Sequence, residues 1–121
     1  CDQLIIVTNP TIASMAATMR FSSVARDMGN DILGVVVNRY GKKYEINQED
    51  IESIVTDDIL AIINEDDNVR RSAMEKRTVL EYRPNSPAST SIIALANKLL
   101  NREYTKPMFS DYINFFQNLV A

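Results

Sequence analysis

The sequence predicts an α/β fold built on a partial parallel sheet, and three observations carry that prediction. The runs Leu4-Ile5-Ile6-Val7, Ile32 to Val37 and Ile59-Leu60-Ala61-Ile62-Ile63 are continuously apolar, the pattern of strands covered on both faces. Segments with helical spacing separate them. Strand, helix, strand, helix, strand is the alternation that right-handed crossovers turn into a parallel sheet. Three strands are few for such a design, so the sequence reads as part of a larger α/β domain. The start points the same way: "CDQLIIVTNP" has no initiator Met and enters a core strand at once, as if the chain began within a domain.

Each element has its own signals. After the first strand, Thr11 to Met28 reads as a helix, with Ile12, Met15, Met19, Phe21, Val24, Ala25 and Met28 at three-and-four spacing, and Gly29 supplies a left-handed stop. The second crossover opens at Asn47, a good N-cap, with Asp50 three residues on and Ile46 and Ile51 placed for a hydrophobic staple; Ile51, Ile54 and Val55 form its buried stripe. Beyond the third strand, Glu65 to Lys76 forms a short helix whose acidic-to-basic order suits the helix dipole. "VLEYRPNSPAS" then runs extended to Ser86, which caps a helix with Pro87 at its first position, and that helix buries Ile92, Ile93, Ala96, Leu99 and Leu100 as far as about Glu103.

Composition narrows the function. The 121 residues are 45% hydrophobic and 24% charged, which suits one soluble globular domain. A net charge of -3 with scattered Lys and Arg gives no basic field for a nucleic-acid backbone, so no direct DNA or RNA binding is expected. There is one cysteine and no histidine, which leaves no transition-metal cluster and no internal disulfide, and a reducing cytoplasmic setting is expected. No apolar run approaches the ~20 residues of a membrane span.

Ligands of open parallel sheets gather at the carboxyl ends of the strands. Those ends are Thr8-Asn9-Pro10, Asn38-Arg39 and Asn64-Glu65-Asp66, all polar. A single Asn there is explained by bonding to local backbone; three together point to a site. The glycines, Gly29, Gly34 and Gly41, form no phosphate loop, and no nucleophile is paired with a base, so no catalytic residue is assigned. Consecutive acids at Glu65, Asp66 and Asp67 read as partners of a helix dipole rather than as metal ligands. A phospho-receiver would need an Asp where the strand ends carry Asn9, Asn38 and Asn64.

"LIIVTNPTIAS", "DILGVVVNRY", "INEDDNVRRSA" and "NSPAS" stand in the order and spacing found in the carboxyl-terminal half of MinD-type ATPases. From about Asp2 to Leu100 the chain therefore resembles the MinD/ParA-like deviant Walker-A P-loop ATPases, the archaeal ones in particular. The resemblance implies the C-terminal half of a P-loop NTPase domain that binds ATP or ADP through the adenine. Asn38 and Arg39 would follow the strand at the base, and Asn64, Glu65, Asp66 and Val69 would close the pocket, with Asn64 replacing the family's proline. It further implies ATP hydrolysis, with Mg, by a complete protein whose Walker A motif lies upstream; the chain alone should be inactive. A homodimer, a protein activator and a role in positioning or partitioning of the cell-division type follow from the same likeness. The chain departs from the family pattern at Thr11 (usually Glu), at Ala16-Ala17 in place of a charged pair, and at Lys76-Arg77-Thr78 in place of Gly-Lys-Pro.

The expected domains are 1–104, the ATPase half, and 105–121, an amphipathic helix. In "KPMFSDYINFFQNLVA", Phe109, Tyr112, Ile113, Phe116, Leu119 and Val120 share one helical face. Related proteins often anchor to membrane through such a tail, which implies a peripheral position at the inner membrane face, or contact with a partner. This one has no basic residue after Lys106, and so lacks the ~1 kcal/mol that each would add near anionic lipid. The rival reading is a non-catalytic α/β interaction module that binds a protein through its sheet edge and tail.

Overall fold

The computed structural model describes residues 3–41 and 46–100. The chain divides into two compact units, Cys1–Glu65 and Asp66–Ala121. The boundary expected near 104 and the tail residues Phe109, Tyr112, Ile113, Phe116, Leu119 and Val120 lie outside the described residues.

The first unit contains β1 (Gln3–Thr8), α1 (Ile12–Asp27), β2 (Asp31–Tyr40), α2 (Gln48–Ile54) and β3 (Ile59–Asn64). The strands are parallel in the order β1-β2-β3. Consecutive order with right-handed crossovers sets both helices on one face of the sheet. The core agrees: Met15 of α1 and Ile51 at the centre of α2 cluster with Ile6, Val35, Val37 and Val55. Each such side chain contributes roughly 1.5–3 kcal/mol by leaving water. Ile5 and Val7 alternate with Ile6 and Thr8, point to the other face, and stay 37% and 60% exposed.

Capping in this unit follows the sequence. The Asn47 side chain accepts from the Asp50 N–H at 2.8 Å, and Gly29 ends α1 at φ 87°. The buried face of α1 differs from the apolar spacing. Met15, Thr18, Ser22 and Ala25 are buried, whereas Ile12, Phe21, Val24 and Met28 are exposed. Small and hydroxyl side chains let the helix lie close to the sheet, and Ser22 donates to the Asp57 carboxylate at 2.6 Å. The Asp57 side chain is almost fully buried and also pairs with Arg26. One polar tie therefore outweighs an apolar stripe in setting the roll of the helix.

The strands are longer than the apolar runs. In particular β2 continues through Asn38 and Arg39 to Tyr40. Its register slips where β1 residues Leu4 and Ile5 pair with Ile32 and Gly34, leaving Leu33 over. Gly34 takes φ 155° there, and a Cβ on it would meet the Asp58 carbonyl oxygen and Leu60 Cγ, each at 2.6 Å. Only glycine fits that approach of β2 to β3.

The second unit contains α3 (Asp67–Met74), α4 (Val79–Tyr82) and α5 (Pro87–Leu99). The segment read as extended holds the one-turn helix α4, because Thr78 caps it by accepting from the Glu81 N–H at 3.2 Å. Ser86 caps α5 as expected, accepting from the Ser89 N–H at 3.2 Å. Ser89 is fully buried and its hydroxyl bridges the carbonyls of Val79 and Arg83 at 3.1 and 2.7 Å. Burial in α5 is thus concentrated in its first turn, at Ala88 and Ser89. Ile92 and Ile93 are half-buried, and Ala96, Leu99 and Leu100, expected inside, are exposed.

Candidate functional site

In a parallel sheet the carboxyl ends of all strands lie at one end, and here that end carries Thr8-Asn9, Asn38-Arg39 and Asn64-Glu65. Thr8 is buried and its hydroxyl donates to the Asn9 carbonyl at 3.2 Å. The Asn side chains behave differently. Among the described residues, the amides of Asn9, Asn38 and Asn64 take part in no hydrogen bond, so local backbone bonding does not account for them. Asn9 and Asn64 are exposed and Asn38 is half-buried.

The strand end is also irregular. Val37 pairs with Ile62 and Tyr40 with Asn64, so Asn38 and Arg39 together stand opposite Ile63. Two residues facing one is a β-bulge, the device by which strands re-aim side chains beside sites. Arg39 has φ 59°, a left-handed conformation that a non-glycine residue rarely adopts. Its guanidinium Nη2 lies 3.2 Å from Glu65 Oε1. The Glu65 N–H donates to the Tyr40 carbonyl at 2.8 Å, which extends the β2–β3 pairing one step past Asn64. Neither the bulge nor the ion pair had a signal in the sequence, since bulges follow from register and not from residue type.

Asp66 and Val69 belong to the second unit. Asp66 Oδ1 accepts from the Asn68 N–H and Nδ2 at 2.9 and 2.8 Å, and Oδ2 accepts from the Ala88 N–H at 3.1 Å. Burial pushes this carboxyl up, but the backbone N–H groups of Asn68 and Ala88 and the side chains of Ser86 and Asn68 together hold it below the usual aspartate range. One carboxylate therefore caps α3 and ties it to the start of α5. Asp67 lies 3.8 Å from Arg70 in the same helix, as a dipole partner would. Val69 is 45% exposed on α3. Among the described residues no group of acids is arranged to hold a metal ion, and no helix is long and apolar enough to cross a membrane.

An open parallel sheet with amides and an arginine gathered at its carboxyl end has the architecture of the nucleotide-binding α/β class. The chain belongs to the 4Fe-4S iron sulfur cluster binding proteins, NifH/frxC family, whose model matches residues 1–115. It is 37% identical over 97 residues to an ATP-binding protein of Methanocaldococcus jannaschii, covering 79% of this chain and 37% of that one. Its fold matches MinD from Pyrococcus horikoshii OT3, solved with Mg-ADP, at TM-score 0.76 and 32% identity, covering 81% of this chain and 41% of that one. The Pyrococcus furiosus cell division ATPase MinD matches at TM-score 0.78 and 32% identity, covering 83% and 43%. The chain thus spans about two-fifths of the length of these relatives, and its likeness to MinD/ParA-like P-loop ATPases holds in sequence and in fold.

The family description names an iron-sulfur cluster, which cysteine thiolates hold, four to a cubane. This chain has one cysteine and no histidine, so its residues do not fit such a cluster and no chemistry here runs through one. An amide offers one donor group and one acceptor, as the edge of adenine does.

Proposed function

We propose that this chain is the adenine-recognition part of a MinD/ParA-like ATPase, with Asn38 reading the base and Arg39, Asn64 and Glu65 around it. The observation that carries this reading is the bulge at Asn38-Arg39, which sets at the carboxyl end of the central strand a half-buried amide without a hydrogen-bond partner among the described residues. Phosphate binding, Mg and hydrolysis fall to residues outside the chain. The complete protein would bind ATP as a homodimer and use hydrolysis to switch between partner-bound or membrane-bound and free states, in positioning of the cell-division type. Asp66 and Val69, expected at the same pocket, have weaker support: the Asp66 carboxylate is already occupied as a cap.

The test is ADP binding by the full native polypeptide. Asn38→Ala should weaken it by about 5- to 150-fold, the equivalent of the ~1–3 kcal/mol of a good amide–base pair. Undiminished binding removes Asn38 from the site. A second reading, a non-catalytic module that binds a protein, draws on the exposed side chains of Phe21 and Val24 on α1 and of Met28 at its C-cap. Under that reading, changing those residues to Ser would abolish partner capture and leave ADP affinity untouched.

A further inference from the structure

We propose that Glu65 sets the purine specificity of this site by restraining Arg39, so that the Asn38 amide alone reads the base; this rests on the adenine reading above. Asn38 and Arg39 are neighbours in one bulge, and their chemistries favour different purines. An amide pairs with adenine, donating to N7 or accepting from the N6 amino group. A guanidinium has donors only and pairs with the two acceptors of guanine, O6 and N7. An unrestrained guanidinium at this strand end would invite guanine.

Four observations converge on the restraint. Glu65 Oε1 lies 3.2 Å from Arg39 Nη2. The Glu65 backbone is fixed by its N–H bond to the Tyr40 carbonyl. Gly41 leaves room for the carboxylate, since a Cβ there would come within 3.0 Å of Glu65 Oε2. Arg39 itself is held at φ 59°, a conformation that disfavours a side chain. The ion pair does little for stability, because both groups are more than half exposed. An arrangement that is strained and weakly stabilising is accounted for by what it withholds from the ligand.

The experiment measures Kd for ADP and GDP by calorimetry on the full native polypeptide. The unaltered protein prefers ADP. Glu65→Gln keeps the size of the side chain and removes the charge that holds the guanidinium, so the preference narrows by about tenfold, chiefly through tighter GDP binding. Adding Arg39→Ala to Glu65→Gln brings the preference back, which a merely structural role for Glu65 would not do. An unchanged ratio in Glu65→Gln, or a ratio that narrows only through weaker ADP binding, overturns the inference while leaving the adenine reading in place. An Asn38→Ala variant with full ADP affinity overturns the adenine reading itself, and this inference with it.

Discussion

The end of β2 and the start of α3 treat polar side chains in opposite ways. At Asp66 one carboxylate accepts three hydrogen bonds and joins two helix starts, while Ser86 and Ser89 close the remaining backbone groups nearby. At Asn38-Arg39 the strand is bulged, one residue is left-handed, and the half-buried amide has no hydrogen-bond partner among the described residues. The difference separates groups that hold the fold from groups that the proposed function assigns to a ligand. Both regions read as polar in the sequence, and only their hydrogen bonds tell them apart.

Substitutions can break that contrast, beginning with the backbone that supports the bulged strand. Gly34→Val puts a side chain into the Asp58 carbonyl and Leu60 at a left-handed φ, and should destabilise the protein by about 4 kcal/mol, seen as a fall in the urea midpoint. Asp66→Ala removes the double cap and should cost about 1–3 kcal/mol in the same assay.

The pH dependence of Asp66 follows from its lowered folded-state pKa. Its stabilisation is fully present above the unfolded aspartate value of about 3.9 and is lost as pH falls through the folded value. An Asp66→Asn protein should therefore lose less stability than the unaltered one between pH 5 and 2, a range in which other carboxylates serve as the common background. Smaller, and of opposite sign, is Lys76→Gly. Lys76 sits at φ 54° just past α3, a conformation that favours glycine, so the change should stabilise by about 1 kcal/mol. Smallest of all is Asn38→Ala, which removes no hydrogen bond among the described residues and should move stability by less than about 0.5 kcal/mol.

The strands, the crossover helices and most caps were legible because their causes are local: β-branched runs, Asn47 and Ser86 as caps, Gly29 as a stop. The roll of α1 was not, because the Ser22–Asp57 bond joins residues 35 apart in sequence. The single turn at Val79–Tyr82 was missed because four residues give no periodicity, and only Thr78 marked it. At the candidate site, the gathering of Asn38 and Asn64 at the carboxyl ends of parallel strands was legible from the polarity of those ends. The bulge and the Arg39–Glu65 pair arise from register between β2 and β3, which no local pattern encodes.

The most direct measurement is a titration of the full native polypeptide with ADP, followed through the side-chain amide resonances of Asn38 and Asn64 by heteronuclear NMR, with the Asn68 amide as an internal reference. The account predicts that the Asn38 amide shifts in a saturable way while Asn68, already donating to Asp66, stays in place. Saturable ADP binding that leaves the Asn38 amide unmoved would contradict it.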